Sequence, residues 1–222
     1  MEPGFWHQRW AEGRIGFHQP APAPLLCKHW PGLALPKGAR VFVPLCGKSL
    51  DMAWLAAQGY RVLGVELVRE AVEQFFDEQG LQPVLHEWTA GTRYVAGDIE
   101  ILCGDVFAIG DSELAGCDAF YDRAALVALP APMRERYARD VLARLPVGCR
   151  GQLVTLEYPQ AQKDGPPFSV DAAQVHALFD ADWHVELLER RAIPPTHPGH
   201  IAGVDPLHTA VWDLRRRGGT RP

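Results

Sequence analysis

The chain has 222 residues, of which 47% are hydrophobic, and its 22 basic and 27 acidic side chains give a net charge of −5. This allows one substantial core, so we expect a single domain over residues 1–217, with 1–36 as an N-terminal cover and 218–222 as a tail. Basic residues form no run longer than Arg215–Arg217, and apolar runs fall short of the ~18 residues of a membrane span. We therefore expect a cytoplasmic protein with no nucleic-acid or membrane partner.

Strands and helices are predicted to alternate along the chain after the proline-rich segment 1–36. The last two strands have no helix between them and are expected to pair antiparallel at the sheet edge. Such alternation predicts an α/β fold with a mostly parallel sheet covered on both faces. Strands are predicted at 41–43, 61–66, two within 92–102, 117–122, 151–158, 183–191 and 206–214, and helices at 49–58, 68–79, 132–145 and 170–180, the last with Ser169 as N-cap.

The stretch Val41–Ser49, VFVPLCGKS, ends in the Gly-Lys-Ser of a nucleotide-binding P-loop. A triphosphate loop needs another glycine five residues before that Gly, and here the position is Phe42. Pro44 also lacks one of the backbone N–H groups with which such a loop surrounds phosphate. The sequence therefore argues against an ATPase.

Gly47 and Glu66 form a different pattern. Glu66 closes the second predicted strand 19 residues after Gly47, the spacing at which doubly wound folds place a carboxylate on a ribose diol. Taken alone, the spacing leaves open that Gly47 is only a turn and Glu66 a solvated strand end. A dinucleotide would require a loop with three glycines, so a nucleoside without phosphates is indicated, and S-adenosylmethionine is the expected cofactor.

Five stretches then occur in an order typical of one enzyme family: FWHQRW, VFVPLCGKSLDMAWLAAQGYRVLGVE, GDVF, YDRAALVALP and GPPFSV. From Phe5 to about Leu214 the chain resembles the thiopurine S-methyltransferases, bacterial branch. The resemblance implies a class I S-adenosylmethionine-dependent methyltransferase, Rossmann-like, with a seven-stranded, mostly parallel sheet, an antiparallel edge strand and an N-terminal helical cover. It implies methyl transfer to thiopurines and other aromatic or heterocyclic thiols. We expect the protein to be a monomer.

The resemblance also implies cofactor contacts, residue by residue. Trp10 closes over the methionine end, where an aromatic face attracts a sulfonium. Leu45 presents its backbone, Glu66 binds the ribose, and Asp105 and Val106 frame the adenine.

Arg123 follows the strand CDAFYD at its carboxyl end, where open parallel sheets bind ligands. Its guanidinium could hold the methionine carboxylate, polarise the acceptor as a catalytic group, or pair with Asp122. Phe168 lies in the Pro- and Gly-rich loop 158–170, which we interpret as a lid over the acceptor. Its ring would stack on a planar substrate, or would merely staple the next helix.

The histidines and cysteines do not form a recognisable metal, disulfide or catalytic motif. His197, His200 and His208 do not share a helix face, so no metal site is expected. Five cysteines without close pairs argue against disulfides, and Cys46 alone lies in a loop that could carry chemistry. Aryl thiols ionise near neutral pH, so no strong general base is required. Selenium or tellurium species remain alternative acceptors, as the bacterial branch suggests, and a non-catalytic nucleoside-binding protein is the alternative of another class. Relatives carry an arginine upstream of the last strand where this chain has residues 197–200, HPGH, so the resemblance leaves the acceptor open.

Overall fold

The computed structural model describes residues 3–197 and 199–218, and it separates into two compact units, the first ending at Tyr121 and the second beginning at Asp122. The prediction of one domain over 1–217 stays a prediction, and most of the predicted tail lies outside the described residues. Among the described residues, no helix is both long and apolar enough to cross a membrane.

The first unit contains five helices and most of the strands, in the part of it that is described. Its helices are α1 (Pro3–Ala11), α2 (Pro24–His29), α3 (Leu50–Ala57), α4 (Arg69–Glu78) and α5 (Asp111–Leu114). Its strands are β1 (Arg40–Pro44), β2 (Arg61–Glu66), β3 (Val84–Trp88), β4 (Gly91–Ala96), β5 (Ile99–Cys103) and β6 (Ala119–Arg123), whose last two residues belong to the second unit.

The strands of the first unit follow the order β3-β4-β5-β2-β1-β6. The four strands β5, β2, β1 and β6 pair in parallel, for example with Val41 opposite Val62 and Ala119. Parallel strands are covered on both faces, which explains the continuous apolar sequence of β1. The parallel core brings the carboxyl ends of β1, β2 and β5 side by side.

The second unit continues with α6 (Ala131–Asp140), β7 (Arg150–Glu157), α7 (Ala172–Phe179), β8 (Trp183–Ala192) and β9 (His208–Arg216). Within it the order is β7-β9-β8, and β9 is antiparallel to both neighbours. The antiparallel pairing of the last two strands is confirmed. The strand at the edge of this unit is β8, whereas the antiparallel strand β9 lies between two others.

Two details of the prediction are wrong. The described residues contain nine strands, not the seven that the resemblance implied, and β3, which pairs antiparallel with β4 beside β5, was not among the strands predicted from the sequence. Four of the five β3 residues are exposed, so the apolar pattern gave no signal for this strand. The N-cap of α7 is Asp171, whose carboxylate accepts the N–H of Gln174, whereas the hydroxyl of Ser169 accepts the N–H of Tyr158.

Candidate active site

The loop after β1 turns at two residues with left-handed backbone. Leu45 has φ 45° and Gly47 has φ 52°, a region that a side chain such as leucine rarely adopts. Between them, Cys46 donates its backbone N–H to the carbonyl of Val65 on β2 at 3.0 Å. This bond holds the loop beside the end of β2, where Glu66 lies.

Glu66 joins this loop to the start of α4. Its side chain is buried, and its two oxygens accept different backbone N–H groups, Oε2 from Gly47 and Oε1 from Val68, both at 2.8 Å. Burial raises the pKa of Glu66, while the N–H groups of Val68, Gly47 and Leu67 act in the opposite direction. A carboxylate has about four acceptor positions and these N–H groups occupy at most three, so Glu66 can still accept from a hydroxyl donor. A buried pair of acceptors held in this way suits a ribose diol.

An aromatic cover lies next to the loop. Trp10 of α1 is 7% exposed and packs in a cluster with Val68 and Ala71 of α4. Its ring lies 5.9 Å from that of Phe17, centroid to centroid. A Cβ placed on Gly47 would meet Cζ2 of Trp10 at the tight distance of 3.3 Å, and the left-handed backbone conformation independently favours glycine here. The ring of Trp10 therefore packs against the loop at Gly47.

The residues after β5 reach the same end of the sheet. Cys103, the last residue of β5, lies opposite Glu66 in the parallel register of β2 and β5. Asp105 is exposed, and its carboxylate accepts the N–H of Phe107 at 3.0 Å, capping a short 3₁₀ turn in which Val106 is buried. The structure thus places Asp105 and Val106 near Glu66, and it gives Asp105 a capping role that the sequence did not predict.

These groups together fit S-adenosylmethionine. The carboxylate of Glu66 is a ribose acceptor, the loop with a single glycine at Gly47 suits a ligand without phosphates, and the ring of Trp10 suits a sulfonium.

The Gly-Lys-Ser residues all have structural partners. Lys48 Nζ lies 2.6 Å from Oε1 of Glu78 on α4. Ser49 is the N-cap of α3 and accepts the N–H of Asp51 at 3.2 Å. Asp51 in turn is buried and accepts the N–H of Ala23 at 2.7 Å, which fastens the N-terminal segment. In this loop the triplet closes a strand-to-helix connection.

Replacing Lys48 with alanine is expected to leave S-adenosylmethionine binding within twofold of wild type. It should lower the unfolding free energy by only about 1 kcal/mol, because the partner Glu78 is 45% exposed and water screens the ion pair. Binding would be measured by calorimetry and stability by thermal unfolding. The purified protein should also show no ATP hydrolysis, and hydrolysis that Lys48→Ala abolishes would restore the P-loop interpretation.

The thiols near the loop are poor nucleophiles. Cys46 is buried, and burial with the charge of Glu66 raises its pKa well above the ordinary value. The same causes raise the pKa of Cys103 to about 11. Both stay protonated near neutral pH, so a covalent role for Cys46 is not supported.

Arg123 and Phe168 belong to the second unit. Arg123 is the half-buried last residue of β6, and Ala124 after it has φ 69°. Phe168 is half-buried, donates its N–H to the carbonyl of Val127 at 2.6 Å, and lies 6.0 Å from the guanidinium of Arg134, measured to the ring centroid. The loop 158–170 is thus tied to its surroundings by hydrogen bonds.

The histidine segment holds itself together locally. Nδ1 of His197 accepts the N–H of Gly199 at 3.0 Å, and Pro198 lies outside the described residues. Within 3–197 and 199–218, no group of three His, Cys, Asp or Glu side chains is arranged to hold a metal ion.

Sequence reasoning missed two parts of the site. Trp6 and Phe17 belong to the cluster around Trp10, with ring centroids 6.0 Å apart, and the aromatic spacing in FWHQRW was a usable signal. The hydrogen bonds from the backbone N–H groups of Gly47 and Val68 to Glu66 depend on the loop conformation, and no sequence pattern predicts them.

Solved structures share this fold. A 1,6-didemethyltoxoflavin-N1-methyltransferase of Burkholderia thailandensis, with S-adenosylhomocysteine bound, matches 97% of this chain and 87% of its own with a TM-score of 0.66 at 17% identity. A TehB-like methyltransferase of Corynebacterium glutamicum matches 97% and 98%, with a TM-score of 0.53 at 14% identity. Fold and site together define a class I S-adenosylmethionine-dependent methyltransferase.

Sequence relatives give the family. The model of the thiopurine S-methyltransferase family matches residues 1–217. A thiopurine S-methyltransferase of Xanthomonas axonopodis pv. citri is 61% identical over 218 residues, covering 98% of this chain and all of the relative. One from Bordetella parapertussis is 57% identical over 219 residues, covering 98% and 100%. The chain belongs to the thiopurine S-methyltransferase family, as its motifs predicted, and its substrate is a small molecule.

Proposed function

We propose that this enzyme transfers the methyl group of S-adenosylmethionine to the sulfur of thiopurines and of other aromatic or heterocyclic thiols. The observation that carries the proposal is the 61% identity, along the full length of both chains, to a relative that bears this name. The buried thiols fit as well, because a thiol acceptor brings its own nucleophile and the protein need not supply one.

In the first unit, the contacts of Glu66 and Trp10 support their proposed roles, and the roles of Leu45, Asp105 and Val106 rest on the family resemblance. Glu66 accepts the ribose hydroxyls, and the backbone of Leu45 borders the methionine portion under Trp10. Asp105 and Val106 border the adenine. When bound, S-adenosylmethionine supplies a methyl group activated by the adjacent sulfonium. The protein aligns the acceptor with that group and excludes water.

In the second unit, we assign the methionine carboxylate or the acceptor to Arg123 and the acceptor ring to Phe168. These assignments rest on the family resemblance of YDRAALVALP and GPPFSV. A guanidinium at the end of β6 suits an anionic group, and a half-buried aromatic ring suits a planar one.

The test is a methylation assay with purified protein. Thiophenol, 6-mercaptopurine, selenite and tellurite would each be incubated with S-adenosylmethionine, and S-adenosylhomocysteine and methylated product would be quantified. We expect turnover of both thiols. Turnover of the selenium or tellurium species alone would overturn the thiol assignment, and cofactor binding without turnover of any acceptor would overturn the proposed reaction.

Phe168→Ala is expected to raise the KM for thiophenol several-fold while leaving cofactor affinity unchanged, because stacking contributes about 0.5–1.5 kcal/mol beyond burial. The staple interpretation of Phe168 is weakened by the position of Asp171 as N-cap. Val170 and Val175, both fully buried, occupy the positions that a hydrophobic staple would use.

Steady-state kinetics and thermal unfolding measure this effect, with Val170→Ala as the matched control. The control should lower the unfolding midpoint with the KM unchanged. Loss of stability and of cofactor affinity in Phe168→Ala, with an unaltered KM for thiophenol, would show that Phe168 is only structural.

A further inference from the structure

Asp122 is a fully buried carboxylate to which the proposed chemistry gives no role. It directly precedes Arg123. Its Oδ1 accepts the backbone N–H of Leu126 at 3.1 Å, and its Oδ2 accepts the hydroxyl of Tyr137 at 2.9 Å. Both donors are neutral, so Asp122 is not held in the core by an ion pair with either of them. A buried carboxylate with neutral partners is costly, and a specific structural task would explain its presence.

The turn that Asp122 holds leads to the acceptor loop. The chain enters the turn through Ala124, whose φ of 69° is unusual for a residue with a Cβ. Residues Leu126–Ala128 form a 3₁₀ turn, and the carbonyl of Val127 in it accepts the N–H of Phe168 at 2.6 Å. A continuous path therefore runs from Asp122 through this turn to the backbone of Phe168.

Tyr137 anchors the other end of the path. It lies on α6, and its side chain is fully buried. Its hydroxyl fixes the position of one carboxylate oxygen, which leaves the other directed at the N–H of Leu126. A side chain packed in the core thus sets the orientation of Asp122.

The flanking residues of the loop have separate anchors. Nη1 of Arg134 donates to the carbonyl of Ser169 at 2.8 Å, and the hydroxyl of Tyr158 donates to the carbonyl of Pro167. The backbone N–H of Phe168 donates to the carbonyl of Val127, so this hydrogen bond most directly fixes the position of the Phe168 ring.

We infer that Asp122 and Tyr137 are positioning residues for the acceptor, which act through the turn at Val127 to place the ring of Phe168. The inference rests on the proposed function, since it takes Phe168 as the contact of the aromatic thiol. It assigns a specificity role to two residues that touch neither substrate nor cofactor.

The first test compares Tyr137→Phe with wild type in steady-state kinetics. We expect the KM for thiophenol to rise about threefold, with kcat and cofactor affinity within twofold, because one hydrogen bond that orients the carboxylate is lost. Tyr94→Phe, which changes another buried tyrosine, on β4, should leave the KM unchanged. If Tyr137→Phe does not fold, Asp122→Ala, which removes the acceptor of the Leu126 N–H, serves as a second variant and should raise the KM at least as much.

The second test asks whether the effect passes through Phe168. In a Phe168→Ala background, Tyr137→Phe should add no further increase in KM, whereas independent effects would multiply. A multiplied effect, or an unchanged KM in the single variant, would overturn the inference.

A third measurement does not depend on the acceptor. Amide hydrogen exchange of the segment 164–170 should be faster in Tyr137→Phe than in wild type and unchanged in Tyr94→Phe. Unchanged exchange in Tyr137→Phe would refute the positioning role even if thiols are methylated. A wild-type protein inactive on thiols would refute the proposed function, and faster exchange would still show that Tyr137 positions the loop.

Discussion

Replacing Glu66 with alanine is expected to weaken S-adenosylmethionine binding tenfold or more. A hydroxyl bonded to a carboxylate contributes about 1.5–3 kcal/mol, and the ribose would lose this acceptor. The variant also removes the acceptors of the Gly47 and Val68 N–H groups, which join the loop to α4. We therefore expect a lower unfolding midpoint in the absence of cofactor, with the protein still folded at room temperature. Calorimetry gives the affinity and thermal unfolding gives the stability.

Two further variants separate the role of the carboxylate from a general effect of lost charge. Glu66→Gln keeps the size of the side chain, but its NH₂ group must face the backbone N–H of Gly47 or of Val68, and a donor opposite a donor should leave binding weak. Glu70→Ala removes an exposed carboxylate in the first turn of α4 and should bind the cofactor as wild type does. A folded Glu66→Ala protein with wild-type affinity would remove Glu66 from the nucleoside site.

The position of Glu66 could be predicted from sequence because it follows from local rules. An apolar run predicts a strand, a glycine predicts a turn, and the distance between Gly47 and Glu66 fits one strand–helix–strand unit. The geometry of the site then depends on two backbone N–H groups that donate to the Glu66 carboxylate. One belongs to Gly47, 19 residues earlier, and the other to Val68, two residues later. Such bonds depend on the left-handed conformation of the loop. Leucine does not favour that conformation, so the residue type at position 45 does not predict it.

The features that the sequence did not predict also have specific physical causes. The strand β3 has an exposed surface and no apolar alternation, so only its pairing with β4 reveals it. Ser169 is a good N-cap by type, and Asp171 two residues later is as good, so local preference could not decide between them. The tertiary bond from Tyr158 to Ser169 decides it. From the sequence, Asp122 could be interpreted only as a possible ion-pair partner of Arg123. In the structure it is buried and accepts the hydroxyl of Tyr137.

Asp122 is expected to make the stability of the enzyme fall as the pH rises from about 4 to 7, because burial raises its pKa from 3.8 to about 6. The hydrogen bonds from Leu126 and Tyr137 oppose the rise without cancelling it. Since the folded state holds the proton more tightly than the unfolded state, the contribution is complete below pH 4 and is lost as the pH passes 6. A shift of this size corresponds to on the order of 2–3 kcal/mol.

Asp122→Asn isolates this effect, since the amide is neutral at every pH and can still accept the N–H of Leu126 through its oxygen. We expect the unfolding midpoint of wild type, relative to the variant, to fall by roughly 5–10 °C between pH 4 and pH 7. The pKa of Glu66 is also raised, but that group is present in both proteins and cancels in the comparison. The pKa of Tyr137 is raised well above 10, so it does not titrate in this window. Parallel curves of unfolding midpoint against pH for the two proteins would mean that the Asp122 carboxyl keeps an ordinary pKa. A buried acid whose pKa is raised must make the unfolding free energy depend on pH.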